Sequence, residues 1–203
     1  SEKENSKLYK ETLEKMKHYL KKIDFRGDFE INFIVNESGA YPIEATARIG
    51  SPIIHLHSEI HKSPWGEFLY AIASGKGYDL KWKKGYGIVT LLAIPPFPYV
   101  SSDKYHNVLV GTPIYYDKMS ENDLKHVHLE EVSYHKKSKQ YYISDSRGYV
   151  LYVTSVSPSV EQTQKNVQKI IDKIIFPKKM YRQDIGDSFK NKHKSLLEKW
   201  GYL

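Results

Sequence analysis

The sequence predicts an α+β fold in two parts, residues 1–98 and residues 99–190, with a short helical tail over 191–203. Three observations predict it. The apolar spacing changes from a helical to an alternating period at Arg26-Gly27, short alternating runs follow beyond residue 105, and one long amphipathic segment comes after them. In chain order, Tyr9, Leu13, Met16, Leu20 and Ile23 recur at steps of four and three and share one helix face, with charges on the other. Residues 28–35 alternate as a strand does, with Phe29, Ile31, Phe33 and Val35 between Asp28, Glu30, Asn32 and Ile34. Asn36-Glu37-Ser38-Gly39 makes a turn, and residues 41–47 return as the hairpin partner, with Ile43 and Ala45 on one face and Glu44, Thr46 and Arg48 on the other. Gly50-Ser51-Pro52 is a turn that opens a helix, because Ser51 can cap free amides and proline suits the first helical position. A further helix runs from Ser63-Pro64 to Gly75 and buries Trp65, Phe68, Leu69 and Ile72. Residues 84–99 form a strand closed by prolines, and shorter strands follow at 106–110, 113–116, 125–132, 140–144 and 148–154. The long helix opens with Ser159 and Gln162 at capping-box spacing and turns Val160, Val167, Ile170, Ile171 and Ile174 inward. The tail from Asp187 is a short basic helix packed by Leu196, Leu197 and Trp200.

Composition narrows the chemistry. The 203 residues contain no cysteine, which excludes disulfides, thiol nucleophiles and cysteine-held metals and fits a reducing compartment; a cytoplasmic protein is expected. No apolar run approaches the roughly 20 residues that a membrane span needs. Lysine and arginine exceed the acids by 31 to 24, a net charge of +7, which favours phosphate-bearing partners without naming one.

The hairpin carries the chemistry. Glu44 and Thr46 lie two apart and leave the same face, and Asn32 on the partner strand can join them. A carboxylate with neutral oxygens suits Mg²⁺, which takes oxygen ligands and shares them with nucleotide phosphates. Arg48, on the same face, can hold a phosphoryl group or an acyl phosphate through its planar fork.

The stretch GDFEINFIVNESGAYPIEATARIGSP resembles the metal-binding hairpin of the ATP-grasp ligases, where Glu-x-Asn-x-Arg closes the nucleotide site. More narrowly, the chain resembles the C-terminal half of the glycinamide ribonucleotide synthetase (phosphoribosylamine–glycine ligase) family of purine biosynthesis. IEATARIGSP at 43–52, RGYVLYVTSVSPSVEQ at 147–162 and YRQDIG at 181–186 carry the match in order, from about residue 8 to about 188. The resemblance implies the second half of an ATP-grasp domain, an antiparallel sheet with helices, followed by a small mixed α/β C-terminal domain. It puts Glu44 at the Mg²⁺ (or Mn²⁺) ligand, Thr46 at the ligand asparagine and Arg48 at the arginine that stabilises the transferred group. Asn32 joins the metal set, and Gly50, Ser51 and Pro52 line the substrate side. Two acidic positions of the family's Phe-Gly-Asp-Pro-Glu are Ser51 and Ile53 here, and Tyr149 stands for an arginine.

For the intact enzyme the resemblance implies ATP as co-substrate. It phosphorylates a carboxylate to an acyl phosphate, which an amine then attacks to give an amide. The family places its glycine-rich loop, strand lysine and adenine-binding linker upstream of the matched region. The chain is thus expected to be the back half of a ligase, inactive alone, with the missing N-terminal half and small carboxylate and amine substrates as partners.

Other features point elsewhere. His57 and His61 have the spacing of zinc ligands without an accompanying acid, and His126 and His128 alternate on a strand without an identifiable third ligand. Neither a Gly-x-Ser-x-Gly elbow nor a Walker phosphate loop occurs. Seventeen tyrosines among scattered lysines make a nucleic-acid module the contender from another class, although the aromatics fall at buried-looking strand positions; a catalytically silent interaction domain on the ligase fold is the third reading.

Overall fold

The computed structural model describes residues 6–98 and 109–203, so most of the strand expected at 106–110 lies outside the described residues. The fold is mixed α+β with antiparallel sheets, and it divides into two compact units. One unit comprises the residues through Ile54, His61–Lys83 and Asp187–Leu203; the other comprises His55–Ile60 and Lys84–Gly186.

In the first unit the expected opening helix is two helices, α1 (Lys7–Glu11) and α2 (Leu13–Lys22). The break is at Thr12, whose backbone leaves helical geometry (φ −124°, ψ −89°) while its buried hydroxyl donates to the Leu8 carbonyl at 2.6 Å. A threonine that bonds back four residues competes with the helical ladder and bends it. Strands β1 (Glu30–Asn36) and β2 (Gly39–Thr46) then form the expected antiparallel ribbon. Asn36 Oδ1 accepts the Ser38 N–H at 2.8 Å and sets the turn. The register shifts at a bulge: Phe33 faces Pro42, and Asn32 faces Glu44, which leaves Ile43 as the extra residue, 67% exposed. Helix α3 (Ile53–Ile60) begins one residue after Pro52 rather than at it. Helix α4 (Trp65–Ala73) is shorter than expected at both ends, and Leu69 is exposed rather than buried. The Ser63 hydroxyl accepts the Lys81 N–H at 3.0 Å instead of capping the helix. The tail forms a π turn, Phe189–His193, and helix α7 (Lys194–Lys199). It is fastened to α1: Tyr202 donates to Glu11 at 2.6 Å, and Lys7 Nζ donates to the Trp200 carbonyl at 2.9 Å while lying over the Tyr202 ring.

In the second unit, strand β8 (Tyr149–Ser157) lies between β3 (Tyr86–Ala93) and β5 (Val127–Leu129), antiparallel to both. Val150 through Thr154 are buried, and helix α6 (Val160–Ile171) covers them with Val160, Val167, Ile170 and Ile171. Each large aliphatic side chain so buried contributes about 1.5–3 kcal/mol. The one hydroxyl proton of Thr163 is shared between the Ser159 carbonyl of its own helix at 2.8 Å and the Tyr86 carbonyl of β3 at 3.0 Å. Leu56 of α3 seats on Gly87, where a Cβ would meet its side chain.

A second sheet orders β6 (Val132–His135), β7 (Gln140–Ile143), β4 (Pro113–Tyr116) and β9 (Ile174–Ile175). A short helix, α5 (Glu121–Leu124), follows β4 with a capping box from Ser120 and Asp123. The single strand expected over 125–132 changes sheets at Glu130-Glu131. There the buried Glu131 carboxylate accepts the Gly148 and Tyr149 N–H groups, both at 3.1 Å, and pairs with Arg147 at 2.9 Å. Ile174, expected on the helix, is instead buried in β9.

Candidate functional site

Strand alternation and the regular pairing before the bulge bring four oxygen-bearing side chains to one face. Glu30 stands opposite Thr46, and Asn32 stands opposite Glu44. With Arg48, Gly50, Ser51, Pro52 and Ile53 they line a hollow of about 370 Å³. All seven expected site residues therefore border one space: Asn32, Glu44, Thr46, Arg48, Gly50, Ser51 and Pro52. Asn32 Nδ2 donates to Glu44 Oε2 at 3.3 Å, and Glu44 is otherwise open to solvent. Arg48 is exposed, and its Nη1 donates only to the neighbouring Ile49 carbonyl at 3.3 Å, so its fork faces no acid of the ribbon.

Glu30 is the residue that the sequence reading passed over. Its Oε1 accepts the Gly50 N–H at 2.9 Å, and a Cβ at position 50 would displace the carboxylate from this place. The turn after β2 thus returns over β1 and fixes the direction of Glu30. The signal available in sequence was its position two before Asn32, on the same side of the strand. Half-buried Asp28 precedes it, and burial, followed by the Glu30 charge, holds the Asp28 carboxyl above its ordinary range.

The donor set is therefore two carboxylates, an amide and a hydroxyl. Hard divalent cations such as Mg²⁺ and Mn²⁺ favour such oxygen sets and complete their shells with water or phosphate oxygens. No group of three or more His, Cys, Asp or Glu residues that could hold a metal occurs among the described residues. Ser51 does not cap α3 as expected; the first turn is closed by the Ile54 N–H on the Gly50 carbonyl at 3.0 Å.

The histidines have other surroundings. His61 lies among aromatic rings, stacked on Trp65 at 4.2 Å and edge-on to Phe68 and Trp82. In the second unit His126 Nδ1 lies 2.8 Å from Glu59 of α3, a partner 67 positions upstream.

No family model matches the chain. Among curated proteins it is 26% identical over 151 residues to a bifunctional purine biosynthetic protein of Dictyostelium discoideum, covering 73% of the chain and 17% of that protein. It is 25% identical over 169 residues to the phosphoribosylamine–glycine ligase of Mycobacterium leprae, covering 81% and 36%. The chain therefore spans little more than a third, or less, of the curated relatives it matches. Among solved structures, it resembles the phosphoribosylamine–glycine ligase of Thermotoga maritima with a TM-score of 0.55 at 16% identity, over 77% of the chain and 36% of that one. It also resembles the biotin carboxylase domain of the Hydrogenobacter thermophilus 2-oxoglutarate carboxylase, crystallised with MgADP and bicarbonate, at 0.52 and 19%, over 93% and 43%. The fold is ATP-grasp-like. Within that class the sequence bears a weak resemblance to phosphoribosylamine–glycine ligases.

Proposed function

We propose that the chain is the C-terminal portion of an ATP-dependent carboxylate–amine ligase similar to phosphoribosylamine–glycine ligase, and that its β1–β2 ribbon supplies part of the cation site. The observation that carries this reading is the convergence of Glu30, Asn32, Glu44 and Thr46 on one face, with Gly50 pinning Glu30 from behind. Glu30 and Glu44 supply the negative charge that holds the cation, while Asn32 and Thr46 supply neutral oxygens. When bound, Mg²⁺ or Mn²⁺ neutralises phosphate charge in such reactions. Exposed Arg48 is free of acidic partners on the ribbon and can take a phosphoryl or carboxylate oxygen through two parallel N–H bonds. Ser51 and Ile53, which replace two acids of the related pattern, make the substrate side of the hollow less negative and favour an acceptor other than the family's own amine.

The nucleotide-binding elements lie upstream in the related enzymes, so the 203-residue chain should bind a cation weakly and should not turn over ATP. Titration with Mn²⁺, followed by water-proton relaxation, tests the first expectation. Glu30→Gln and Glu44→Gln should each weaken binding several-fold, one charge contact near the surface being worth up to about 1 kcal/mol. Unchanged binding in the double variant would remove the ribbon from any cation role and leave a silent interaction domain on a ligase fold. ATP hydrolysis by the isolated chain that depends on an added amine would overturn the division of labour between the two halves.

A further inference from the structure

Helix α3 places His55 and Glu59 one turn apart, and both meet the sheet of the second unit. Glu59 is nearly buried, its side chain 9% exposed. Its Oε1 takes His126 Nδ1 at 2.8 Å and the hydroxyl of fully buried Thr154, with His128 Nε2 at 3.8 Å. His128 Nε2 also lies 2.8 Å from that hydroxyl. A threonine hydroxyl has one proton. Donated to Glu59, it leaves only an acceptor for His128, so His128 carries its proton on Nε2 and His126 carries one on Nδ1. Glu59 then accepts from His126 and Thr154, and Thr154 accepts from His128.

Protons added beyond that arrangement meet an unfavourable geometry. His55 lies against His128, ring centroids 4.9 Å apart, and stacks on buried Tyr152 at 4.7 Å. Two imidazoles thus face one buried carboxylate, and a third, His55, lies against one of those two. Glu130 also acts on His55, but it is exposed and its attraction is screened by solvent. Glu59 offers one negative charge to this group, so a positive charge on His55, whose ring lies against that of His128, has no acid in contact to balance it.

We propose that this hub is an acid-released latch, which fastens the C-terminal half of α3 to β5 and β8 near neutral pH and frees it in mildly acidic solution. Thr154 and Tyr152 belong to the buried middle strand, so the sheet stays in place while the helix end opens. The lowered pKa of His55, from burial first and His128 second, agrees with this direction. Neither the ribbon hollow nor the ligase reading is needed for it.

Native-state hydrogen exchange tests the latch on the intact chain. After correction for intrinsic rates, the amides of Leu56–Ile60 should lose protection by several-fold, up to about tenfold, between pH 7.5 and 5.5, while those of β8 and α6 keep theirs. His55→Phe keeps a ring on Tyr152 and removes one proton site, so its α3 protection should change much less with pH. Imidazole nitrogen shifts at pH 7.5 should report the Nε2–H tautomer for His128. Equal α3 protection at the two pH values, or an unaltered pH response in His55→Phe, would overturn the proposal.

Discussion

Gly50 and Glu30 show how a single atom decides the geometry of the candidate site. Gly50→Ala would push a methyl group into the carboxylate that the Gly50 amide now holds, so Glu30 must turn or the loop must move. The atoms met are the ends of flexible side chains, so the urea midpoint should move little while Mn²⁺ affinity falls as Glu30 is displaced. The shared face of Glu44 and Thr46 was legible in the sequence because strand alternation assigns a face before any partner is known, whereas Arg48 lies beyond the end of β2. The role of Glu30 was not, because it depends on a chain reversal 20 residues later. His126 and His128 lacked a visible third partner for the same reason, since Glu59 lies in a different element. Acid should act on the hub with a definite sign. The folded pKa of His55 lies below its ordinary 6.5, so the unfolded chain binds more protons and stability falls as pH drops below about 6.5. Glu59, lowered by its histidine partners against the opposing effect of burial, adds a second loss as pH falls below about 4.5.

The elements themselves were read well where local pattern and long-range packing agree. Helix α6 has its Ser159 cap and its buried stripe as spacing predicts, although Gln162 turns its side chain to Asn166 rather than back to the cap. The ribbon has its turn and its pairing, but the bulge at Ile43 carries no mark in the sequence. The run at 125–132 looked like one strand because its apolar residues continue, yet Glu131 bends it between sheets by satisfying the backbone of the 147–149 turn. Glu131→Ala should therefore destabilise the second unit by about 2–4 kcal/mol, since it leaves two backbone N–H groups without acceptors. Asp123 makes a related contribution at the start of α5. Its hydrogen bond from Lys173, and then those from Ser120, hold it far below the usual carboxylate range. The stability it lends is present above pH 4 and fades as pH drops through that lowered value, so Asp123→Asn should flatten the acid limb of a melting curve.

Taken together, the chain folds as two units whose sequence segments interleave: His55–Ile60 belongs with the later strands, while the C-terminal tail belongs with the opening helices. Contacts between residues nearly two hundred positions apart close the first unit, and no short-range pattern announces them. Deleting Tyr202 and Leu203 should accordingly expose α1 to proteolysis while leaving the second unit's melting intact. No described helix is long and apolar enough to cross a membrane. The fold is ATP-grasp-like, and the proposed cation site rests on the face of the ribbon that carries Glu30, Asn32, Glu44 and Thr46. Anomalous scattering from crystals soaked in Mn²⁺ addresses that site most directly. A peak between the Glu30 and Glu44 carboxylates, lost in Glu44→Gln, is the predicted result; a ribbon face without a peak at saturating Mn²⁺ would contradict it.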